Sequence, residues 1–169
     1  QNKGIWSIGI YVANSQCSLG PRVRKTTVKG GGEYYTDRAY TLTSVSSTYA
    51  GMDAIITPND DRNLTVPSDY LTFEMPYDGN VYVAYDSRAV SRPNWMSGFS
   101  DTGGRIYTSL DTQPALEVFS RSYLAGDCVD LGANKASGFS GDTVSNYIVF
   151  YGAGGTPPPP TCSLASKFT

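Results

Sequence analysis

The chain has 169 residues, 40% of them hydrophobic and 17% charged, with a formal net charge of −2 and no histidine. That length suits one domain with a buried core, and so balanced a charge excludes the concentrated positive field that nucleic-acid binding needs. The missing histidine excludes Ser-His-Asp and Cys-His catalysis and every histidine-ligated zinc, copper or haem site.

Residues 5–12 predict a strand with Ile8, Ile10 and Val12 on one face. The one basic run, Arg22, Arg24, Lys25 and Lys29, reads as a solvated strand edge. Gly30-Gly31-Gly32 breaks the chain before an extended run over 33–45. Residues 54–57 predict a short strand that Pro58-Asn59-Asp60-Asp61 ends. Residues 70–75 and 81–86 predict a hairpin closed over 76–80, where Asp78-Gly79 supplies a tight turn. Residues 94–99 predict a single helical turn, and Thr102-Gly103-Gly104 a break. Strands are expected at 105–110, 116–123, 127–131 and 145–151. Eighteen glycines and ten prolines punctuate these segments. Together they predict an all-β fold, an antiparallel β-sandwich or jelly roll. The module spans 1–151, and 152–169 reads as a linker or tail stiffened by Pro157 to Pro160.

No apolar run nears the length of about 20 residues that spans a membrane. A chain opening on Gln1 in place of Met is expected to have lost an export signal. The three cysteines, Cys17, Cys128 and Cys162, fit an oxidising compartment. A secreted or cell-surface protein is expected. If Val129 and Leu131 face inward, Cys128 and Asp130 face outward. Cys128 with Cys162, Cys17 with Cys162, and pairing between subunits all stay open as disulfides.

The most informative stretch is 81–95. Alternation places Val81, Val83 and Tyr85 on one strand face and Tyr82, Ala84 and Asp86 on the other. The strand then hands Arg88 and Trp95 to a loop. Trp95, Arg88, Asp86 and Tyr85 form the candidate ligand site. An aromatic face stacks on a pyranose, and Arg and Asp reach hydroxyls or a uronate carboxylate. In the alternative reading, Asp86 and Arg88 pair to fix the loop, Trp95 plugs the end of the sandwich, and Tyr85 belongs to the core. Asp60 and Asp61 offer hard oxygens for a structural calcium, or an Asx turn after Pro58; no other cofactor is expected. Asn63-Leu64-Thr65 matches a glycan acceptor. With only three glutamates and aspartates confined largely to turns, a hydrolytic carboxylate pair is not expected.

Four segments carry a family resemblance: Tyr35-Thr36-Asp37-Arg38-Ala39-Tyr40-Thr41-Leu42, residues 55–61, residues 81–89 with Pro93-Asn94-Trp95, and residues 145–149. In this order the chain resembles, over 33–151, the β-sandwich accessory modules of secreted bacterial multidomain polysaccharide-active or cell-surface proteins. The resemblance implies a non-catalytic module that binds carbohydrate, with a polysaccharide and other modules as partners. Residues 1–30 and Cys128 fall outside its pattern. The unmatched prefix, the odd cysteine count and the polyproline tail motivate a second reading, a structural subunit of a filament, surface layer or matrix that forms a homopolymer through its terminal segments.

Overall fold

The computed structural model describes residues 23–112 and 115–153. The strand expected at 5–12, Cys17, Cys162 and the proline tail lie outside the described residues. Among those described there are nine strands: β1 (Arg24–Thr27), β2 (Leu42–Ser44), β3 (Asp53–Ile56), β4 (Leu71–Glu74), β5 (Gly79–Asp86), β6 (Ser100–Thr108), β7 (Leu116–Tyr123), β8 (Cys128–Leu131) and β9 (Ile148–Gly152). Short 3-10 turns lie at Asn59–Asn63 and Asn94–Gly98. Seven strands form one antiparallel sheet in the order β1-β3-β9-β5-β7-β6-β2, curled into a half-barrel; β4 and β8 pair as a small second sheet. The all-β sandwich expected from the sequence is the observed fold. No helix among the described residues is long and apolar enough to cross a membrane.

β5 is the centre of the large sheet, laddered to β9 on one side and β7 on the other. Its β-branched and aromatic residues suit a pleated strand, and both of its faces are covered. Val81, Val83 and Tyr85 meet Leu71, Phe73, Val129, Leu131 and Tyr147 in a core beneath the small sheet. Tyr82 and Ala84 join Tyr34, Tyr35, Ile106, Val118 and Phe150 in a second core on the opposite face. There Tyr82 and Phe150 stack with ring centroids 5.2 Å apart. A strand buried on both faces ends in a stem that cannot swing, so the loop after Asp86 is held rigidly.

Three local expectations are corrected. The hairpin of residues 70–75 with 81–86 does not form: β4 pairs with β8, and Leu71 and Phe73 face Val81 and Val83 across the core. The Pro76–Asp78 corner therefore carries the chain between sheets. Asp78 fixes it by accepting the Ala125 N–H at 2.8 Å. The extended run over 33–45 yields only β2 and an isolated Glu33–Thr41 bridge, because Asp37 is drawn toward Asn59 and Asp60. Thr102-Gly103-Gly104 bulges inside β6 without ending it. The register against β7 shifts between Asp101 and Arg105, with Gly103 at φ +73° and Gly104 lying against the Tyr49 hydroxyl. Of the basic run, Arg22 lies outside the described residues; Arg24 and Lys25 lie on β1, an edge strand among the described residues.

Candidate functional site

At the end of β5 the chain places a fully buried carboxylate. Asp86 has no exposed surface, and its oxygens accept from Arg88 and from the Ser145 backbone. Arg88 folds back so that Nε lies 3.0 Å from Oδ1 and Nη2 2.6 Å from Oδ2. The Arg88 backbone N–H donates to Oδ1 at 2.9 Å, and the Ser145 N–H donates to Oδ2 at 2.7 Å. Burial pushes the Asp86 carboxyl up, yet the Arg88 guanidinium and these two amides outweigh it and hold the group below its usual range. The 86–89 turn is thereby tied to the segment leading into β9.

A second buried polar residue, Asn146, ties that segment to the turn after β3. Its Nδ2 donates to Thr57 Oγ1, the Pro58 carbonyl and Tyr70 Oη at 3.1, 3.0 and 3.3 Å. Its carbonyl accepts from Tyr35 Oη at 2.5 Å, and its N–H donates to Asn59 Oδ1 at 2.9 Å. Asp37 closes the arrangement by accepting the Asn59 and Asp60 N–H groups at 2.7 and 3.0 Å. Asp37 is also held low: its burial raises it, and those two amides with Arg38 more than compensate. Tyr85 donates to the Asn134 carbonyl at 2.5 Å, while Asn134 Nδ2 donates to the carbonyls of Arg62 and Ser145. All four segments that carry the family resemblance thus contribute to hydrogen-bonded joints at this end of the sandwich.

Above these joints lies a cleft of about 250 Å³ whose lining includes Arg38, Tyr40, Arg62, Arg88, Thr143 and Ser145. Arg88 and Thr143 also line a wider depression of about 600 Å³ beside the exposed Val90 and Asp142. Arg38 is committed: Nη1 donates to the Asp37 carbonyl at 2.8 Å, and Nη2 pairs with Asp60. Arg62 Nη1 reaches the Asn59 carbonyl at 3.3 Å and Asp60 at 3.6 Å. Nε and Nη2 of Arg62, and Nη1 of Arg88, make no hydrogen bond among the described residues. The cleft is a donor-lined hollow, suited to hydroxyl and carboxylate oxygens.

The structure brings Asp86 and Arg88 together and keeps Trp95 apart from them. Trp95 lines neither hollow. Its ring lies against Gly132 and 5.2 Å from Tyr147, edge-on to Phe99, with Nε1 donating to the Ala133 carbonyl at 3.0 Å. It fastens the loop after β8 to the 3-10 turn. Tyr85 lies fully in the core. Asp60 Oδ1 faces Arg38 and Arg62, and Asp61 Oδ2 accepts from Tyr70 Oη at 2.8 Å. Among the described residues no group of three acidic, cysteine or histidine side chains converges as a metal site. Asn63 is exposed at the end of its turn. Cys128 and Asp130 do point away from the core while Val129 and Leu131 point in. Sequence reasoning missed Asp37, Arg62, Asn134 and Asn146 as organisers of this end. Their one signal is the polar Ser145-Asn146 pair abutting the apolar run of β9.

No protein-family model matches the chain, and no curated protein matches it in sequence. Among solved structures, the chain is similar to a β-glucuronidase from glycoside hydrolase family 2, with a TM-score of 0.70 and 20% identity. That match covers 85% of this chain and 14% of the β-glucuronidase chain. A second match is a glycoside hydrolase family 138 enzyme targeting pectin rhamnogalacturonan II, with a TM-score of 0.45, 11% identity and coverage of 81% of this chain and 18% of that one. The first likeness establishes a shared β-sandwich fold, and this chain spans about a seventh of that much longer enzyme.

Proposed function

We propose that this chain is a non-catalytic carbohydrate-binding module of an exported protein, taking one sugar of a polysaccharide in the cleft walled by Arg62 and Arg88. The observation that carries this reading is the cleft itself: rigidly seated guanidinium donors around a hollow, with a buried network behind them. Rigid donors lose little entropy on binding. The fold likeness to part of a β-glucuronidase supports a setting among carbohydrate-active proteins. Non-catalysis is supported by the state of the nearby carboxylates. Glycoside hydrolysis needs an acid whose pKa is raised, whereas Asp37 and Asp86 are both held low. Affinity electrophoresis through a panel of soluble neutral and acidic polysaccharides tests the reading. Retardation by at least one glycan, weakened by Arg62→Gln, is expected; retardation by none refutes it.

An exported setting also predicts a disulfide from Cys128 to Cys162 or Cys17. A second reading, a subunit that assembles through its ends, draws on the short strands β1 and β2, which are the two edges of the large sheet among the described residues. Size-exclusion chromatography at high concentration separates the two, because the binding module is expected to elute as a monomer.

A further inference from the structure

Resting on the carbohydrate-binding reading, we infer that the cleft is selective for acidic sugars and that Arg62 and Arg88 clamp the carboxylate of a hexuronic acid residue. The charge of the wall is one-sided. Three guanidinium groups line the hollow and no carboxylate does; the acids that compensate them, Asp37, Asp60 and Asp86, stand outside the lining. The donors are also unequal. Arg38 is tied to Asp37 and Asp60, and Arg88 gives Nε and Nη2 to Asp86 and keeps Nη1, while Nε and Nη2 of Arg62 make no hydrogen bond among the described residues. A planar carboxylate is the ligand group that matches the Arg62 fork, because it accepts two parallel N–H bonds, with Nη1 of Arg88 as a further donor.

Behind this wall, Asn134 is 1% exposed and its Oδ1 has no hydrogen-bond partner among the described residues. Its amide nitrogen donates to the carbonyls of Arg62 and Ser145, which line the hollow although Asn134 does not; a buried acceptor of this kind calls for an enclosed water. The hollow, at about 250 Å³, lies just below the roughly 300–1,000 Å³ of drug-sized ligand pockets. It therefore suits one ring of a chain that continues over the depression beside Val90.

Isothermal titration of the full chain decides the matter with five probes: oligogalacturonate, a hyaluronan oligosaccharide, the carboxyl-reduced form of each, and a sulfated carrageenan oligosaccharide that carries no carboxylate. At least one uronate probe is expected to bind about ten- to a hundred-fold more tightly than its reduced form, the contribution of charge-assisted bonds to one carboxylate. Arg62→Gln is expected to bring that probe down to the level of its reduced form. Equal binding of acid and reduced forms would overturn the carboxylate assignment and leave carbohydrate binding standing. Carrageenan binding as tightly as the uronates, with the same loss in Arg62→Gln, would overturn it in favour of a general anion site. Failure of every probe, together with failure of the neutral panel, would remove both proposals. Should Arg62→Gln unfold, the wild-type comparison of acid with reduced probe still decides.

Discussion

Asn146 shows how one side chain can set the shape of a loop cluster. It spends its amide nitrogen on three acceptors from two separate segments and its Oδ1 on the Tyr147 N–H. Replacing it with alanine takes a buried donor from Thr57 Oγ1, the Pro58 carbonyl and Tyr70 Oη and the acceptor from the Tyr147 N–H, at about 1–3 kcal/mol for each group left unsatisfied. Asn146→Ala is therefore expected to cost about 3 kcal/mol or more, read as a lowered urea midpoint with an unchanged slope. Asp86 is a different case. Removing it leaves Arg88 without its buried partner, and losses of about 3–5 kcal/mol follow when a buried pair is broken from one side. Asp86→Ala is accordingly expected to destabilise the fold as well as disorder the cleft wall. For that reason Arg62, and not Arg88, is the informative position for binding.

At the scale of elements, Trp95 and Gly132 form the clamp between the 3-10 turn and the loop after β8. A Cβ at position 132 would stand 2.5 Å from Trp95 Cδ1, so Gly132→Ala must push the indole outward. The expected cost is about 1–3 kcal/mol of overpacking, with a red shift of tryptophan emission as Trp95 meets water; unchanged emission and stability would show that the contact is slack. The strands themselves were legible where alternation is strong: β7 matches its expected bounds, and Val129 and Leu131 point inward as the pattern requires. Pairing was not legible. A Pro-Tyr-Asp-Gly segment reads alike whether it closes a hairpin or turns a corner between sheets, and only the two-sided burial of β5 decides between them. The site was half legible. Asp86 and Arg88 announce themselves by adjacency to a strand end, whereas Arg62 sits on a surface turn whose carbonyl is held by Asn134 from far along the chain. Trp95 stayed open between two readings, because a tryptophan after a proline in a polar loop looks the same whether it greets a sugar or seals a core.

For the whole molecule, the titration of a few buried groups sets the pH range of the fold. Asp37 and Asp86 have folded pKa values below the ordinary 3.8. Their contribution to stability is present above that value and is lost as pH falls through it toward their folded values. Thermal unfolding is expected to hold level from neutral pH to about pH 5 and then to fall steeply below about pH 4. At the alkaline side burial pushes Tyr34 up to about 12 from 10.0. The unfolded chain then loses that proton first, so stability present below pH 10 declines as pH rises toward 12. Tyr70, Tyr85, Tyr147 and Tyr151 are raised further by burial and act in the same direction. Peptide mapping without reductant is expected to find Cys128 joined to Cys162 or Cys17, a link that typically adds about 2–4 kcal/mol.

A heteronuclear NMR titration of the full chain with a uronate oligosaccharide tests the fold, the cleft and the proposal of a non-catalytic module together. Shifts confined to the surroundings of Arg38, Arg62, Arg88, Thr143 and Ser145, with the oligosaccharide recovered intact, are the expected outcome. Shifts centred on Trp95 or along β6, or the release of shorter sugars during the titration, would show that the cleft is not the binding site or that the module is an enzyme.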